Sequence, residues 1–541
     1  MKLLSRMTVA VFALSIGTSF AGDDGPPAAV RAELKLASEA ANAKAWSQHP
    51  LWAFAGSQTA RGLDGAWRII VDSKTGRTHE RAEFQLFKTE AVWDGQRYWR
   101  KGRSGGVHPI GSAFAQRTNI TNAWLARRGY LRPDGAAWTD LGAKKVEGRS
   151  YLALSASPAG GEPVELWFDA GTHLLAQSIQ RLSTTTKTTR YRDYRREHDA
   201  AIPFLTETEE SGDTDSVRVT HVDALDSLAD GEFARPSPPN DFTVAGGKTT
   251  VPMEFDGFVV VDAMLNGRGP FAFILDTGGR AVLSVETAKQ LALPLAGGAR
   301  AGGAGESTTS ARFTKIDSID IGGLHLHGLS FAVIPLQYDT VERGARPPFA
   351  GIMGIELFER LAMTLDYRNQ KLTIEPLTSF IYSAHGTFVP ISFTDDMPLI
   401  AGKIDGIGGD IALDTGSPEP LVIQGYWAGR HGLGQRLKQG FPLVAGGGMG
   451  GSILLWASRA DLKLGGNTLP RVVSYYAEDE AGAFSSRSEA GLAGNDVFAN
   501  FTPTFDYLRG GVWLEPTPGF AEKPFDRAGL TVAKPRRELF V

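Results

Sequence analysis

The chain has no cysteine among its 541 residues. That excludes disulfides, thiolate catalysis and lipid attachment through a cysteine after a leader. It also has little net charge, formally -4, and no basic stripe of the kind nucleic-acid binders carry. No apolar run reaches membrane-spanning length; residues 7–16 come nearest and are too short. Two catalytic signatures are missing: His-Glu-x-x-His and the phosphate loop Gly-x-x-x-x-Gly-Lys-Ser/Thr. The nearest histidine pair, His325 and His327, alternates on one strand face with no third ligand, so it reads as solvent-exposed. No metal and no cofactor are expected.

What is present begins with a leader. Lys2 and Arg6 precede the apolar residues 7–16, and Ser19-Phe20-Ala21 offers a small-x-small cleavage site. Residues 1–21 are therefore expected to be a signal peptide, and the mature protein to be periplasmic or secreted, with no membrane span. The length suggests two to four compact units, and 64 glycines fit a β-rich chain with many turns.

Residues 29–47 suggest a helix with Leu34, Leu36 and Ala45 on one face. Strands follow: 83–89 and 96–101 flank a turn at Asp94-Gly95, and 164–169 and 174–180 flank Ala170-Gly171, with a helix near 112–128 between them. The arginines at 127, 128, 190, 192, 195 and 196 read as solvated strand faces, and Trp93, Trp99, Trp124, Trp138 and Trp167 as core. Arg-Pro-Ser-Pro-Pro-Asn-Asp at 235–241 has the composition of a linker, which places a domain boundary there. Through "VWDGQRYWRKG" and "VELWFDAGTHLLAQS", residues 27–235 resemble the lipoprotein-carrier (LolA-like) half-barrel, an α+β domain. The resemblance implies a cradle for a lipid or peptide ligand; a structural prodomain or spacer is the equal alternative.

Beyond the linker (236–251) the chain repeats itself. Phe-Ala-Phe-Ile-Leu-Asp-Thr-Gly at 271–278 matches Gly-Asp-Ile-Ala-Leu-Asp-Thr-Gly at 409–416, 138 positions later. Gly351-Ile-Met-Gly354 matches Gly491-Leu-Ala-Gly494, and Thr364-Leu-Asp-Tyr367 matches Thr504-Phe-Asp-Tyr507, each 140 positions apart. Order and spacing conserved at three landmarks imply duplicated lobes, 252–376 and 384–517, followed by a tail at 518–541. One Asp-Thr-Gly would mean little; two at matched positions suggest paired carboxylates. Such a pair can share a proton, one member activating water while the other polarises a carbonyl.

The repeat resembles the retropepsin-like aspartic peptidases in their bacterial form with two tandem lobes. The resemblance implies a mainly β fold: two retropepsin-like β-barrel lobes forming an intrachain pseudo-dimer behind the half-barrel. It implies a catalytic dyad of Asp276 and Asp414, supported by Thr277 and Gly278 in one loop and Thr415 and Gly416 in the other. It also implies glycine-rich flaps, at Gly302, Gly303 and Gly305 and at Gly447, Gly448 and Gly450. The expected function is an exported, monomeric aspartic endopeptidase acting on a peptide or protein substrate. The competing reading is a non-catalytic peptide- or lipid-binding protein on the same scaffold, prompted by the unequal residues after the triplets, Gly279 and Ser417. Asp366 and Asp506 are expected to cap strand-end turns.

Overall fold

The computed structural model describes residues 26–132, 134–303, 305, 307–336, 346–446, 451–478 and 482–518. The leader, Gly447, Gly448, Gly450 and nearly all of the tail lie outside the described residues.

Residues up to the linker build one 13-stranded antiparallel sheet. Strands pair with their sequence neighbours except for Val107–Ile110 and Ala136–Val146, which form the two edges; the first, Leu51–Ala60, also pairs with the last, Asp213–Leu225, which joins the two halves of the meander. The expected single helix over 29–47 is two, Ala28–Ala41 and Ala43–Gln48. Asn42 separates them in a left-handed conformation, and its side chain caps the second by accepting from the Ala45 amide. The buried face of the first helix is Val30, Leu34, Ala37 and Ala41, at helical spacing, whereas Leu36 points to solvent. This face packs on Trp124, Trp138, Leu154, Leu166 and Phe168 to form the half-barrel core.

Two further expectations change. The stretch 83–89 is not one strand: Thr78–Phe84 and Lys88–Trp93 are separate and antiparallel, with Leu86 and Phe87 at the turn. Arg128 is buried rather than solvated; its guanidinium stacks 3.9 Å over the Trp46 ring and donates to the Ala201 carbonyl. Arg190 and Arg192 do face outward, each paired across strands with a glutamate, Glu209 and Glu207.

After the linker come two lobes built on a nine-stranded and an eight-stranded sheet, joined by a six-stranded sheet to which both contribute. At the centre of that shared sheet Leu361–Asp366 pairs with Phe501–Asp506, in the register Met363 to Phe505 and Thr364 to Thr504. The two threonine hydroxyls meet at 2.8 Å, so the repeat's third landmark is where the halves join. Asp366 and Asp506 each accept from the backbone amide three residues on, Asn369 and Arg509, and cap the turns there. The fold is mainly β throughout, with two retropepsin-like lobes and a half-barrel.

The half-barrel is packed firmly onto the lobes. Leu63, Ala82 and Phe84 share one apolar cluster with Ile274, Val282, Phe313 and Ile352 of the first lobe. His108 bonds the Glu359 carboxylate at 2.7 Å, with both side chains at most 3% exposed. Ser112 meets Thr394 of the second lobe at 2.6 Å. One domain therefore clamps both lobes.

Candidate active site

Each triplet follows an apolar strand, Arg268–Leu275 or Ile407–Leu413, that runs parallel to the strand carrying the glycine-bounded motif. Those neighbours fix the loops: the Asp276 amide donates to the Met353 carbonyl at 2.9 Å, and the Asp414 amide to the Ala493 carbonyl at 3.0 Å. The threonines then tie the loops together. Thr277 accepts from the Thr415 amide at 3.0 Å and donates to the Leu413 carbonyl at 2.7 Å. Thr415 does the reverse, with the Thr277 amide at 3.0 Å and the Leu275 carbonyl at 2.8 Å. Both threonines are fully buried, so each lobe supplies the hydrogen bonds that the other needs.

This exchange brings Asp276 and Asp414 together with their carboxyls in hydrogen-bond contact. Gly278 donates its amide to Asp276 at 2.8 Å, and Gly416 its amide to Asp414 at 2.9 Å. The Asp276 carboxyl also lies against two other glycines. A Cβ on Gly279 would fall 2.3 Å from its Oδ2, and one on Gly416 would fall 2.4 Å from its Cγ. A side chain on Gly279 would thus collide with the Asp276 carboxyl, whereas Ser417 carries one, whose hydroxyl accepts from the Glu419 amide at 3.3 Å.

Burial raises the Asp414 pKa well above the ordinary carboxylate value, and the adjacent Asp276 charge raises it further. Burial raises Asp276 less, because the Gly278 amide, Asp414 and the Gly279 amide all favour its ionised form. Two carboxyls so placed titrate as a pair that holds one proton.

Strand alternation puts Ile274 and Asp276 on one face. Ile274 pairs with Ile352, which pairs with Val282; in the second lobe Ala412, Leu492 and Val422 occupy the same places. All six are buried, the first three in the apolar cluster shared with the half-barrel and the other three in a cluster of the second lobe. Gly302, Gly303 and Gly305 lie between the paired strands Ala296–Ala301 and Thr309–Ile321, at the tip of the first flap. The Gly303 carbonyl accepts from Ala483 of the second lobe at 3.1 Å, and Ser307 lies 3.8 Å from where a Cβ on Gly451 would sit. This loop of the first lobe therefore touches the second lobe.

Several site residues had no reading in the sequence. Asn495 is fully buried and donates to the Thr415 carbonyl at 2.7 Å and the Gly257 carbonyl at 2.9 Å, while accepting from Tyr367 at 2.8 Å. It follows the glycine of the second apolar motif, where the repeat has Ile355, so a polar residue in an otherwise apolar register was its only signal. Glu419 lies five residues after Asp414, and burial together with the Asp496 charge raises its pKa to about 7. Arg280, four residues after Asp276, pairs with Asp396 of the second lobe, which also pairs with Arg100 of the half-barrel. Burial pushes the Asp396 carboxyl up, yet Arg100, Arg280 and His108 together hold it well below the usual range.

Residues 261–357 match the family model of the aspartyl proteases, a stretch that contains the first triplet and its apolar-glycine motif. Over that segment the chain is similar to the aspartyl protease family. Comparison with curated proteins gives no match. Among solved structures, the chain is similar to an aspartic proteinase from Irpex lacteus (13% identity, 50% of this chain and 98% of that one, TM-score 0.33). It is similar to basic 7S globulin from soybean (14% identity, 50% and 95%, TM-score 0.28). It is also similar to a LolA superfamily protein from Nitrosomonas europaea (18% identity, 38% and 97%, TM-score 0.27).

Proposed function

We propose that the chain is an exported aspartic endopeptidase in which Asp276 and Asp414 activate the water that attacks a peptide bond. The observation that carries this reading is the contact of two half-buried carboxyls from different lobes, held by reciprocal threonine bonds. Like charges about 3 Å apart cannot both ionise, so one carboxyl keeps its proton and polarises the scissile carbonyl. The ionised partner takes a proton from the water as its oxygen attacks, while the protonated carboxyl gives its proton to the carbonyl oxygen, giving a tetrahedral diol; the proton taken from water then passes to the leaving nitrogen as the C–N bond breaks, and a diol hydroxyl returns a proton to the other carboxyl. The threonine lattice supplies rigidity, since small misplacements of catalytic groups are costly. The flaps would exclude bulk water once a peptide is bound.

Export rests on the leader pattern at residues 1–21, and the expected location is the periplasm or the medium. The half-barrel has a cavity of its own, about 410 Å3, between Trp46, Phe54, Trp67, Ile69 and Val219, with room for an apolar ligand. That cavity supports an accessory binding role rather than a competing function. Digestion of a peptide library by the leaderless protein, read by mass spectrometry from pH 3 to 7, tests the reading. Discrete cleavages are expected; an untouched library across that range would refute it.

A further inference from the structure

The half-barrel packs against the residues that follow the first triplet. Arg103 donates to the Ala281 carbonyl at 2.9 Å, and a Cβ on Gly102 would lie 3.8 Å from the Arg280 guanidinium. Between the two domains remains a cavity of about 240 Å3. Five cations line it, Arg61, Arg100, Lys101, Arg103 and Arg280, against three carboxylates. Its position is set by chain geometry: Arg280 follows Gly279, whose backbone lies against the Asp276 carboxyl. Arg280 is the lobe residue among those that line it, and it stands four positions after Asp276 in the chain.

Its carboxylates are already engaged. Glu80 accepts from the Trp67 indole at 2.7 Å. Glu90 bonds His79 at 2.7 Å and Arg81 at 3.2 Å, and Asp215 accepts from the Arg61 amide at 3.0 Å. Asp395 and Asp396 take the terminal nitrogens of Arg100, and Asp396 also holds Arg280. Even so, Arg100 and Arg103 each keep a buried Nε–H with no partner. A buried donor left unpaired is costly, so two of them on one small cavity mark where an acceptor belongs. The cations also strain one another. Burial lowers the Arg103 pKa to about 10; Glu356 opposes this, and Arg280 and Arg61 reinforce it. Arg61 is lowered by burial and by Arg280, against Asp215.

We propose that this cavity is an anion subsite of the cleft that receives a carboxylate of the bound peptide. At about 240 Å3 it is smaller than the roughly 300–1,000 Å3 of a pocket that holds a whole small ligand. It suits the end of a chain or one acidic side chain. The inference rests on the peptidase reading and adds a substrate class to it: peptides with a carboxylate near the scissile bond. A free C-terminal carboxylate and an Asp or Glu side chain share that chemistry, and the test separates them.

The probe is a set of fluorescein-labelled random peptide pools: one with a free C-terminus, one amidated, and amidated pools with a fixed Glu or Gln. Binding is read by anisotropy on the full-length Asp414→Asn protein, so that no probe is consumed. Charge-assisted hydrogen bonds of this kind correspond to about tenfold or more in affinity. The acid pool is expected to bind at least tenfold tighter than the amide if the terminus is read, and Glu tighter than Gln if the side chain is read. Adding Arg103→Gln should bring the ratio near one while the amide and Gln pools bind as before. Arg61→Gln serves the same purpose should that variant not fold. Ratios within twofold in both arms overturn the subsite, as does a ratio that survives loss of the arginine in the folded protein. Wild-type digestion of the same pools keeps the two readings apart. Cleavage of every pool alike, with no binding preference, sinks the subsite alone; a binding preference with no cleavage sinks hydrolysis alone.

Discussion

Replacing Gly416 by alanine is the sharpest local perturbation of the dyad. The new Cβ would stand 2.4 Å from Asp276 Cγ and 2.5 and 2.9 Å from its two oxygens, whereas ordinary contact begins near 3.4 Å. Gly416 has no left-handed backbone requirement, so the effect is a collision between lobes and not backbone strain. Relief requires the Asp276 carboxyl to move by about 1 Å, and a misplacement of that size costs on the order of 100-fold in rate. That corresponds to about 2.7 kcal/mol of transition-state stabilisation. Overpacking of this kind also costs about 1–3 kcal/mol of stability. The equivalent change in the first lobe has a different neighbour. A Cβ on Gly278 would meet Met397 at 2.6 Å from Cε and 2.8 Å from Sδ, the free end of a flexible side chain. Met397 can swing aside, so Gly278→Ala should lose less than about tenfold. The assay is kcat/KM on a cleaved peptide, with urea unfolding of the same samples to separate rate from folding. The reasoning is refuted if Gly416→Ala stays within about threefold of wild type, or if Gly278→Ala is the more damaging of the two.

Two further changes probe the electrostatics. His108→Ala leaves the buried Glu359 without its partner at the half-barrel interface, which should cost about 3–5 kcal/mol in chemical unfolding; an unchanged midpoint would mean that the half-barrel does not depend on this contact. Glu419 binds its proton more tightly folded than unfolded, so stability falls as pH rises from about 4.5 through its folded value of about 7. Glu419→Gln should therefore raise the unfolding midpoint at pH 8, by roughly 1–3 kcal/mol of stability, and leave pH 4 nearly unchanged. An equal shift at both pH values would contradict that assignment.

The repeat made the lobes legible because each landmark has a local backbone job: a strand ending in a loop, a glycine at a close approach, a threonine facing its double. Such roles leave patterns that two copies can reveal. The glycine–serine mismatch after the triplets was visible, but the collision that a side chain at Gly279 would meet was not, since it depends on which side the Asp276 carboxyl takes. The half-barrel's place was also out of reach. Phe84 in the sequence is one more apolar strand residue; only the fold shows it sharing a cluster with Ile274 and Ile352. The same holds for Arg103, Arg280 and Asp396, which lie far apart in sequence and become one charged cluster through tertiary contact. Arg128 was misplaced for a related reason: beside Arg127 it looks like a solvated pair, yet one turns outward and the other stacks on Trp46.

The central claim is that neither carboxyl works alone. Turnover of one cleaved peptide by the wild type, Asp276→Asn and Asp414→Asn, measured on folded, peptide-binding samples, tests it most directly. Both substitutions are predicted to abolish hydrolysis while binding persists; either variant retaining wild-type turnover would contradict the account.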